Sequence, residues 1–228
     1  MHKFYGNDFN FDLSSAAGID SLKHVAEDIG LDFSRTVTLQ QIHSADVIHV
    51  TNHEFKERQA DAMVTNTPDL ILCIRTADCA PILLEDSQNN VIGAVHAGWR
   101  GALNGVIENT IAKMVELGAR TENISAHVGA MLLEKSFVCQ DDMREEFLKK
   151  DPSFSKYFNV MDDGNLHFNY ENFIKDKLKS CGLCSIEMSD IDTYTSPEFH
   201  SYRRAKHQGL DHDARNCAAI YIKQGESK

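Results

Sequence analysis

The sequence predicts an α/β fold, classed as α+β in some schemes, in which a mixed β-sheet is covered by helices. Apolar runs of strand length dominate the first half of the chain, and a helical hydrophobic period begins after Gly101. The 228 residues include only four prolines, and we find no Gly/Ser-rich tether and no repeat of fixed period. We therefore expect residues 1–228 to form a single domain.

The predicted strands are short and concentrated between residues 36 and 95. Residues 36–42 alternate and are rich in β-branched side chains, and residues 47–50 are expected to pair with them after a Ser-Ala-Asp turn. Continuous apolar runs are typical of strands covered on both faces. Such runs occur at residues 70–74, 81–84 and 91–95, and residues 124–128 and 218–222 are predicted to form further strands.

Two helices are predicted from apolar residues that recur at helical spacing. The first starts at Gly101 and ends at Gly118, with apolar positions from Leu103 to Val115. The second covers residues 170–180 and closes near Gly182. The order of the strands stays open at this stage.

Charge and composition limit the partners of the protein. The net charge is −11, with 23 basic and 34 acidic side chains, so we expect neither nucleic acid nor a membrane as partner. The chain shows no signal peptide and no apolar stretch approaching the ~20 residues of a membrane helix. A cytoplasmic location with reduced cysteines, and a monomer or weak oligomer, are therefore expected.

Basic side chains cluster near the end of this acidic chain. They either bind a small anion or form a solvated surface. The cluster consists of Arg203, Arg204, Lys206 and Arg215.

Reactive residues stand where three predicted strands end, which is where open sheets collect functional groups. The segments are Gln-Gln-Ile-His-Ser-Ala-Asp at 40–46, Thr-Ala-Asp-Cys-Ala-Pro at 76–81, and Ala-Val-His-Ala-Gly-Trp-Arg-Gly at 94–101. His43, Cys79 and His96 offer two imidazoles and one thiolate, which zinc prefers, and leave a fourth position open. Their long spacing matches no short metal motif, so each residue alone is equally compatible with a structural role.

These segments, together with Ala-Asp-Ala-Met-Val-Thr at 60–65 and Ser-Tyr-Arg-Arg at 201–204, resemble the YfiH/YlmD-like family. Its members were long labelled multicopper polyphenol oxidases or laccase-domain proteins, and more recently purine nucleoside phosphorylases. The resemblance extends from Gln40 to Ile220 and implies a compact three-layer α/β/α fold with mixed β-sheets. The family's metal-binding His, Cys and His fall on His43, Cys79 and His96.

The resemblance also implies an activity. It points to a zinc-dependent phosphorylase of adenosine, inosine, guanosine and methylthioadenosine, with adenosine deamination as a second reaction. The partners would then be a purine nucleoside and phosphate, and copper is the alternative metal.

Further site residues are expected around the metal triad. Arg100 is a candidate catalytic residue that would hold phosphate, because guanidinium groups meet phosphate in a bidentate fork. The candidate substrate-binding residues are Arg203 and Arg204 as a second clamp, and Asp61 and Asp78. The two aspartates are either turn formers or partners that orient the histidines.

The sequence departs from the family pattern in two places. Gly-Ala-Met-Leu-Leu at 129–133 replaces the usual Gly-Pro-Cys-Ile-Gly, and Thr193-Tyr194 replaces a Cys-Thr pair. Both changes are expected to reshape the substrate pocket. The Cys181-x-x-Cys184 pair is expected to have a packing role and His127 a hydrogen-bonding role, and Trp99 is expected to be a packing anchor or a wall of the pocket.

Three other functions stay open. A multicopper oxidase is disfavoured, because the eleven histidines contain no His-x-His pair. A cysteine hydrolase linked to peptidoglycan editing would use Cys79 as nucleophile and His96 as base. A binding module without catalysis is the remaining alternative, and metal content with a nucleoside turnover assay would separate all four.

Overall fold

The computed structural model describes residues 1–52 and 58–223. Its helices are α1 (Ala16–Ile29), α2 (Trp99–Asn104), α3 (Val106–Glu116), α4 (Asp141–Lys150), α5 (Tyr170–Ser180) and α6 (Tyr202–Gln208). Its strands are β1 (His2–Tyr5), β2 (Thr36–Val37), β3 (Val47–His49), β4 (Ala62–Thr65), β5 (Ile71–Thr76), β6 (Ala80–Asp86), β7 (Val91–Ala97), β8 (Ser125–Val128), β9 (Phe158–Val160), β10 (Leu166–Phe168), β11 (Ser185–Met188) and β12 (Asn216–Tyr221). None of the described helices is long and apolar enough to cross a membrane.

Two mixed sheets form the centre of the fold. The four-stranded sheet has the order β1-β12-β5-β2, and the six-stranded sheet has the order β11-β8-β6-β7-β4-β3. Parallel pairs close one edge of the four-stranded sheet and both edges of the six-stranded sheet, while the inner pairs are antiparallel. Strands β9 and β10 form a separate antiparallel pair. The predicted α/β class with mixed sheets is confirmed.

The two sheets pack face to face, because side chains alternate along each strand. In β5, Leu72 and Ile74 join the core between the sheets, whereas Ile71 and Cys73 pack against α1. Helices α3 and α5 cover the outer face of the six-stranded sheet. The order of the layers is therefore helix, sheet, sheet, helix. The expected α/β/α arrangement has its two outer helical layers, but its β layer consists of two sheets.

The predicted pairing of residues 36–42 with residues 47–50 is wrong. Strand β2 ends at Val37 and pairs with β5, whereas β3 pairs with β4 in the other sheet. Beyond Val37 the side chain of Gln41 replaces the strand ladder: its Nε2 donates to Arg75 O (2.7 Å), and its Oε1 accepts from Arg75 N (2.9 Å). Residues 38–46 therefore cross from one sheet to the other and carry His43.

The predicted helix from Gly101 to Gly118 is two helices. Helix α2 begins earlier, at Trp99, and Gly105 separates it from α3 with a φ of 98°. This left-handed conformation suits glycine and ends the first helix. The helix predicted over residues 170–180 is confirmed as α5, whereas no prediction was made for α1, α4 and α6.

Candidate metal centre

Three neighbouring segments bring His43, Cys79 and His96 together. Strands β6 and β7 are antiparallel neighbours, with Pro81 opposite His96. Cys79 directly precedes β6 and therefore lies beside His96. His43 reaches the same point from the crossing of residues 38–46.

The three side chains are close enough to share an ion. Cys79 Sγ lies 3.8 Å from His43 Nε2, and the His43 and His96 rings are 4.9 Å apart between centroids at an interplanar angle of 76°. One ligand atom from each residue lies within 4.8 Å of the other two. His96 is buried, Cys79 is partly exposed and His43 is exposed, so the group is open on one side.

Asp61 holds both histidines from behind. Its buried carboxylate accepts from His96 Nδ1 (2.7 Å) and from the backbone N–H groups of Ile42 (3.1 Å), His43 (2.9 Å) and Ser44 (2.6 Å). His43 has a φ of 61°, a left-handed conformation that this set of bonds maintains. Burial would raise the pKa of Asp61, but the donors outweigh it and lower the pKa to about 2.

Two glycines after His96 allow the crossing segment to approach. A Cβ at Gly98 would lie 2.6 Å from His43 Cδ2 and 3.4 Å from Cys79 Sγ. A Cβ at Gly101 would lie 2.7 Å from the carbonyl oxygen of Ser44. The Gly-x-x-Gly spacing in His-Ala-Gly-Trp-Arg-Gly is therefore explained by close contacts with residues 43 and 44.

Asp78 fixes the turn before Cys79. It has a φ of 86°, and its carboxylate accepts from Thr193 Oγ1 (2.6 Å) and from the backbone N–H of Arg203 (2.7 Å). Its carbonyl oxygen accepts from Leu132 N (2.9 Å). Both segments that depart from the family pattern therefore contact Asp78.

The charges of the triad depend on one another. Burial would raise the pKa of the Cys79 thiol, but His96 and His43 outweigh it and lower this pKa below its ordinary value. Burial would lower the pKa of His96, but the Cys79 thiolate and the hydrogen bond to Asp61 raise it. Without a metal ion, the arrangement therefore favours a thiolate beside an imidazolium.

The donor set fits a zinc ion. Asp61 accepts from Nδ1 of His96 and thereby leaves Nε2 of this ring for an ion. The Cys79 sulfur is stabilised as thiolate, which is the form that binds metal. Three ligands of this kind leave a fourth position free, as in catalytic zinc sites.

The triad opens into a cavity of about 680 Å³. This volume lies within the range of pockets that bind small molecules. Apolar and aromatic side chains form one part of its wall, namely Trp99, Leu132, Phe137, Tyr170 and Tyr202. Leu132 brings one of the two departing segments directly into the cavity.

Basic side chains form another part of the wall. Three residues of the basic cluster line the cavity, namely Arg203, Lys206 and Arg215. Arg75 lines it as well. Arg203 Nη1 donates to the carbonyl oxygens of Ser136 (3.0 Å) and Val138 (2.7 Å), so this guanidinium also fixes the loop beneath it. Lys206 is exposed on α6, with its Nζ 5.7 Å from the centre of the Tyr202 ring.

Three of the expected site residues do not line the cavity. Arg100 is exposed, with its guanidinium 4.0 Å from the centre of the Trp99 ring. The Nη1 of Arg204 donates to the carbonyl oxygens of Thr193 (2.5 Å), Tyr194 (3.1 Å) and Ser196 (2.9 Å). Asp61 is buried behind His96. The guanidinium of Arg100 therefore lies over Trp99 outside the cavity wall, and that of Arg204 is held by backbone carbonyl groups.

Several cavity residues had no functional prediction from the sequence. Tyr170 begins α5, and its hydroxyl donates to the carbonyl oxygen of Ala97 beside the triad. Phe137 comes from a loop without a periodic pattern, and Arg75 resembles an ordinary strand residue. Unlike these three residues, Tyr202 carried a signal, because it is part of the Ser-Tyr-Arg-Arg block.

Known proteins match this chain over most of its length. The family model described as multi-copper polyphenol oxidoreductase laccase matches residues 13–223. A purine nucleoside phosphorylase of Rickettsia prowazekii (strain Madrid E) is 33% identical over 187 residues, which cover 81% of this chain and 77% of the relative. The purine nucleoside phosphorylase YfiH of Escherichia coli (strain K12) is 34% identical over 177 residues, which cover 77% and 71%.

Solved structures show the same fold. The hypothetical protein YfiH of Bacillus licheniformis superimposes with a TM-score of 0.83 at 22% identity, covering 94% of this chain and 85% of that one. YlmD from Geobacillus stearothermophilus gives a TM-score of 0.82 at 19% identity, covering 98% and 91%. With the family model and these relatives, the chain belongs to the YfiH-like family.

Proposed function

We propose that the protein is a zinc-dependent purine nucleoside phosphorylase with adenosine deamination as a second reaction. The observation that carries this proposal is the His43–Cys79–His96 group at the edge of a cavity with aromatic and basic walls. The names of the relatives support the phosphorolytic reaction. Adenosine, inosine, guanosine and methylthioadenosine are the proposed substrates.

The cavity offers complementary surfaces for the two reactants. Aromatic side chains such as Trp99 and Tyr202 line the cavity and offer apolar surface to a purine ring. Arg203, Lys206 and Arg215 place positive charge where a phosphate ion would be held. In phosphorolysis a phosphate oxygen forms a bond to C1′ of the ribose, the bond from C1′ to the purine nitrogen breaks, and the base takes up a proton.

The residues around the triad prepare it for a metal. Asp61 orients His96 and holds the His43 backbone, and the two histidines stabilise the Cys79 thiolate. Bound zinc would supply Lewis-acid activation of water or substrate at neutral pH. The cytoplasm is the proposed location.

The proposal is tested by incubating metal-analysed protein with adenosine, with and without phosphate, and separating the products. Phosphate-dependent release of adenine and ribose 1-phosphate is expected, together with phosphate-independent inosine. Zinc near one ion per chain at the triad and loss of both reactions on chelation support the metal role. No nucleoside turnover by zinc-loaded protein would refute the proposal, and several tightly bound copper ions would favour an oxidase.

A further inference from the structure

A second group of metal-binding side chains lies at the far end of β6. His2, Glu85 and His127 each offer one ligand atom, and these atoms all lie within 4.8 Å of one another. Glu85 follows Cys79 by six positions along a strand that rises about 3.3 Å per residue, so the two groups are roughly 20 Å apart. None of the three residues lines the catalytic cavity.

The pairing of the strands explains why these side chains meet. His127 in β8 is opposite Leu83 in β6, so it points to the same face as Leu83 and Glu85. Leu83 belongs to the core between the two sheets. His2 in β1 is opposite Ile220, which belongs to the same core. The group therefore combines side chains from both sheets at the edge of their interface.

The hydrogen bonds of His127 leave one nitrogen directed into the group. Nδ1 lies 3.0 Å from Glu187 Oε2 and must donate, because a carboxylate only accepts. In the neutral ring, Nε2 then carries a lone pair. This buried atom has no hydrogen-bond partner among the described residues, and Glu85 Oε1 lies 3.5 Å away. The Glu85 and Glu187 carboxylates raise the pKa of His127, so the protonated ring pairs with both of them, and a cation at Nε2 would take the place of that proton.

The remaining contacts show how the two rings and the carboxylate are arranged. The His2 ring stacks on the His127 ring with centroids 3.8 Å apart and an interplanar angle of 27°. Glu85 Oε2 accepts from the Met1 amino group at 3.2 Å, so the other oxygen, Oε1, faces His127. Zinc bonds of about 2.0–2.2 Å place ligand atoms roughly 3.3–3.5 Å apart. Two stacked rings do not both direct a nitrogen at one point, so the ring of His2 would turn out of the stack to bind the ion together with Glu85 and His127.

We propose that His2, Glu85 and His127 form a second binding site for a divalent transition metal, with zinc as the ion that this donor set suits. Glu187 is a positioning residue that fixes the ring of His127. A metal ion here joins β1 of the four-stranded sheet to β6 and β8 of the six-stranded sheet. The site is therefore expected to strengthen the interface between the sheets rather than to take part in catalysis.

The test uses protein without an affinity tag, because a polyhistidine tag would itself bind zinc. Cys79→Ser weakens the first site, so zinc titrated into this variant reports on the second site. Uptake of one zinc ion and a higher melting temperature are expected. Adding His127→Gln should weaken this uptake at least tenfold and remove the rise in melting temperature. Glu187→Gln should weaken it roughly 10–100-fold, as the loss of an orienting partner does.

His24→Gln is the matched control, since His24 is an exposed histidine on α1 that stacks on Phe9. It should leave zinc uptake unchanged. A second measurement avoids substitutions at the site. Cobalt added to wild-type protein should give a thiolate charge-transfer band with one equivalent and only d–d bands with the other. Equal zinc uptake with and without His127, or a single cobalt equivalent per chain, would overturn the proposal.

Discussion

Asp61 shows how one buried side chain determines the geometry of the candidate metal centre. Its carboxylate accepts from His96 and from three consecutive backbone N–H groups around His43. The positions of two candidate ligands, His43 and His96, which are far apart in sequence, therefore depend on a single residue. Asp61 therefore both forms the turn at His43 and orients the ring of His96. The sequence alone does not decide between these two roles.

Cys79 distinguishes a metal enzyme from a cysteine hydrolase. We expect Cys79→Ser to lose zinc and nucleoside turnover together, because a neutral hydroxyl is a far poorer zinc ligand than a thiolate. The loss of affinity at this site should exceed the roughly 10–100-fold that removal of an orienting partner costs. Metal analysis by mass spectrometry measures the zinc content, and analysis of the reaction products measures the turnover.

The control for this substitution is Cys184→Ser, which changes an exposed thiol directly before β11. It should keep wild-type zinc content and turnover. If Cys79→Ser keeps its zinc at the triad but loses turnover, Cys79 is a covalent nucleophile and the hydrolase reading gains support.

Among the elements, the crossing of residues 38–46 and the start of α2 depend on each other. His43 contacts the backbone of Gly98, and the carbonyl oxygen of Ser44 contacts Gly101, with no space for a Cβ at either glycine. Residue 98 is the N-cap of α2, with extended dihedral angles that any residue adopts. The requirement for glycine there is therefore steric and comes from the crossing segment.

Gly98→Ala should weaken zinc binding more than it weakens the fold. The added methyl group would displace the His43 ring, because its Cβ would lie 2.6 Å from Cδ2. We expect at least a tenfold loss of zinc affinity and a fall in the free energy of unfolding of about 1–3 kcal/mol, as for other overpacked sites. Zinc titration and urea denaturation measure the two effects.

Gly164→Ala provides the matched control. Gly164 has a φ of 75° and no atom within 4 Å of the added Cβ, so the substitution strains the backbone without a clash. It should cost about 1 kcal/mol of stability and leave zinc affinity unchanged. Equal effects of the two substitutions on zinc affinity would show that Gly98 does not protect the position of His43.

The elements differ in how far the sequence predicts them. Residues 170–180 form the predicted helix because an amphipathic period and Gly182 agree with the packing of α5. Residues 36–42 alternate like a strand, but the side chain of Gln41 ends the ladder, and alternation does not reveal which sheet a strand joins. Predicting the triad required the family resemblance, because its three candidate ligands come from segments that only the fold brings together.

At the scale of the whole molecule, an acidic protein contains a basic cavity wall. The net charge is −11, yet Arg75, Arg203, Lys206 and Arg215 all line the cavity. Such a local charge attracts a small anion, whereas the acidic remainder repels a polyanion. The sequence predicts a basic cluster of Arg203, Arg204, Lys206 and Arg215, but it does not predict Arg75 or which members of the cluster reach the cavity, because both depend on the fold.

Lys206 offers the sharpest test of this charge arrangement. Arg203 also supports a loop through its carbonyl contacts, whereas Lys206 is exposed on α6 and its truncation should leave the fold unchanged. We expect Lys206→Ala to raise KM for phosphate and to lower kcat/KM for phosphorolysis about ten- to a hundred-fold. This range corresponds to the roughly 1.5–3 kcal/mol of one hydrogen bond to a charged group.

Arg100→Ala removes an exposed charge outside the cavity and should have little effect on either reaction. Deamination uses no phosphate, so Lys206→Ala should largely spare it. Equal loss of both reactions would mean that Lys206 contacts the nucleoside, and a larger loss in Arg100→Ala would move the phosphate contact to Arg100.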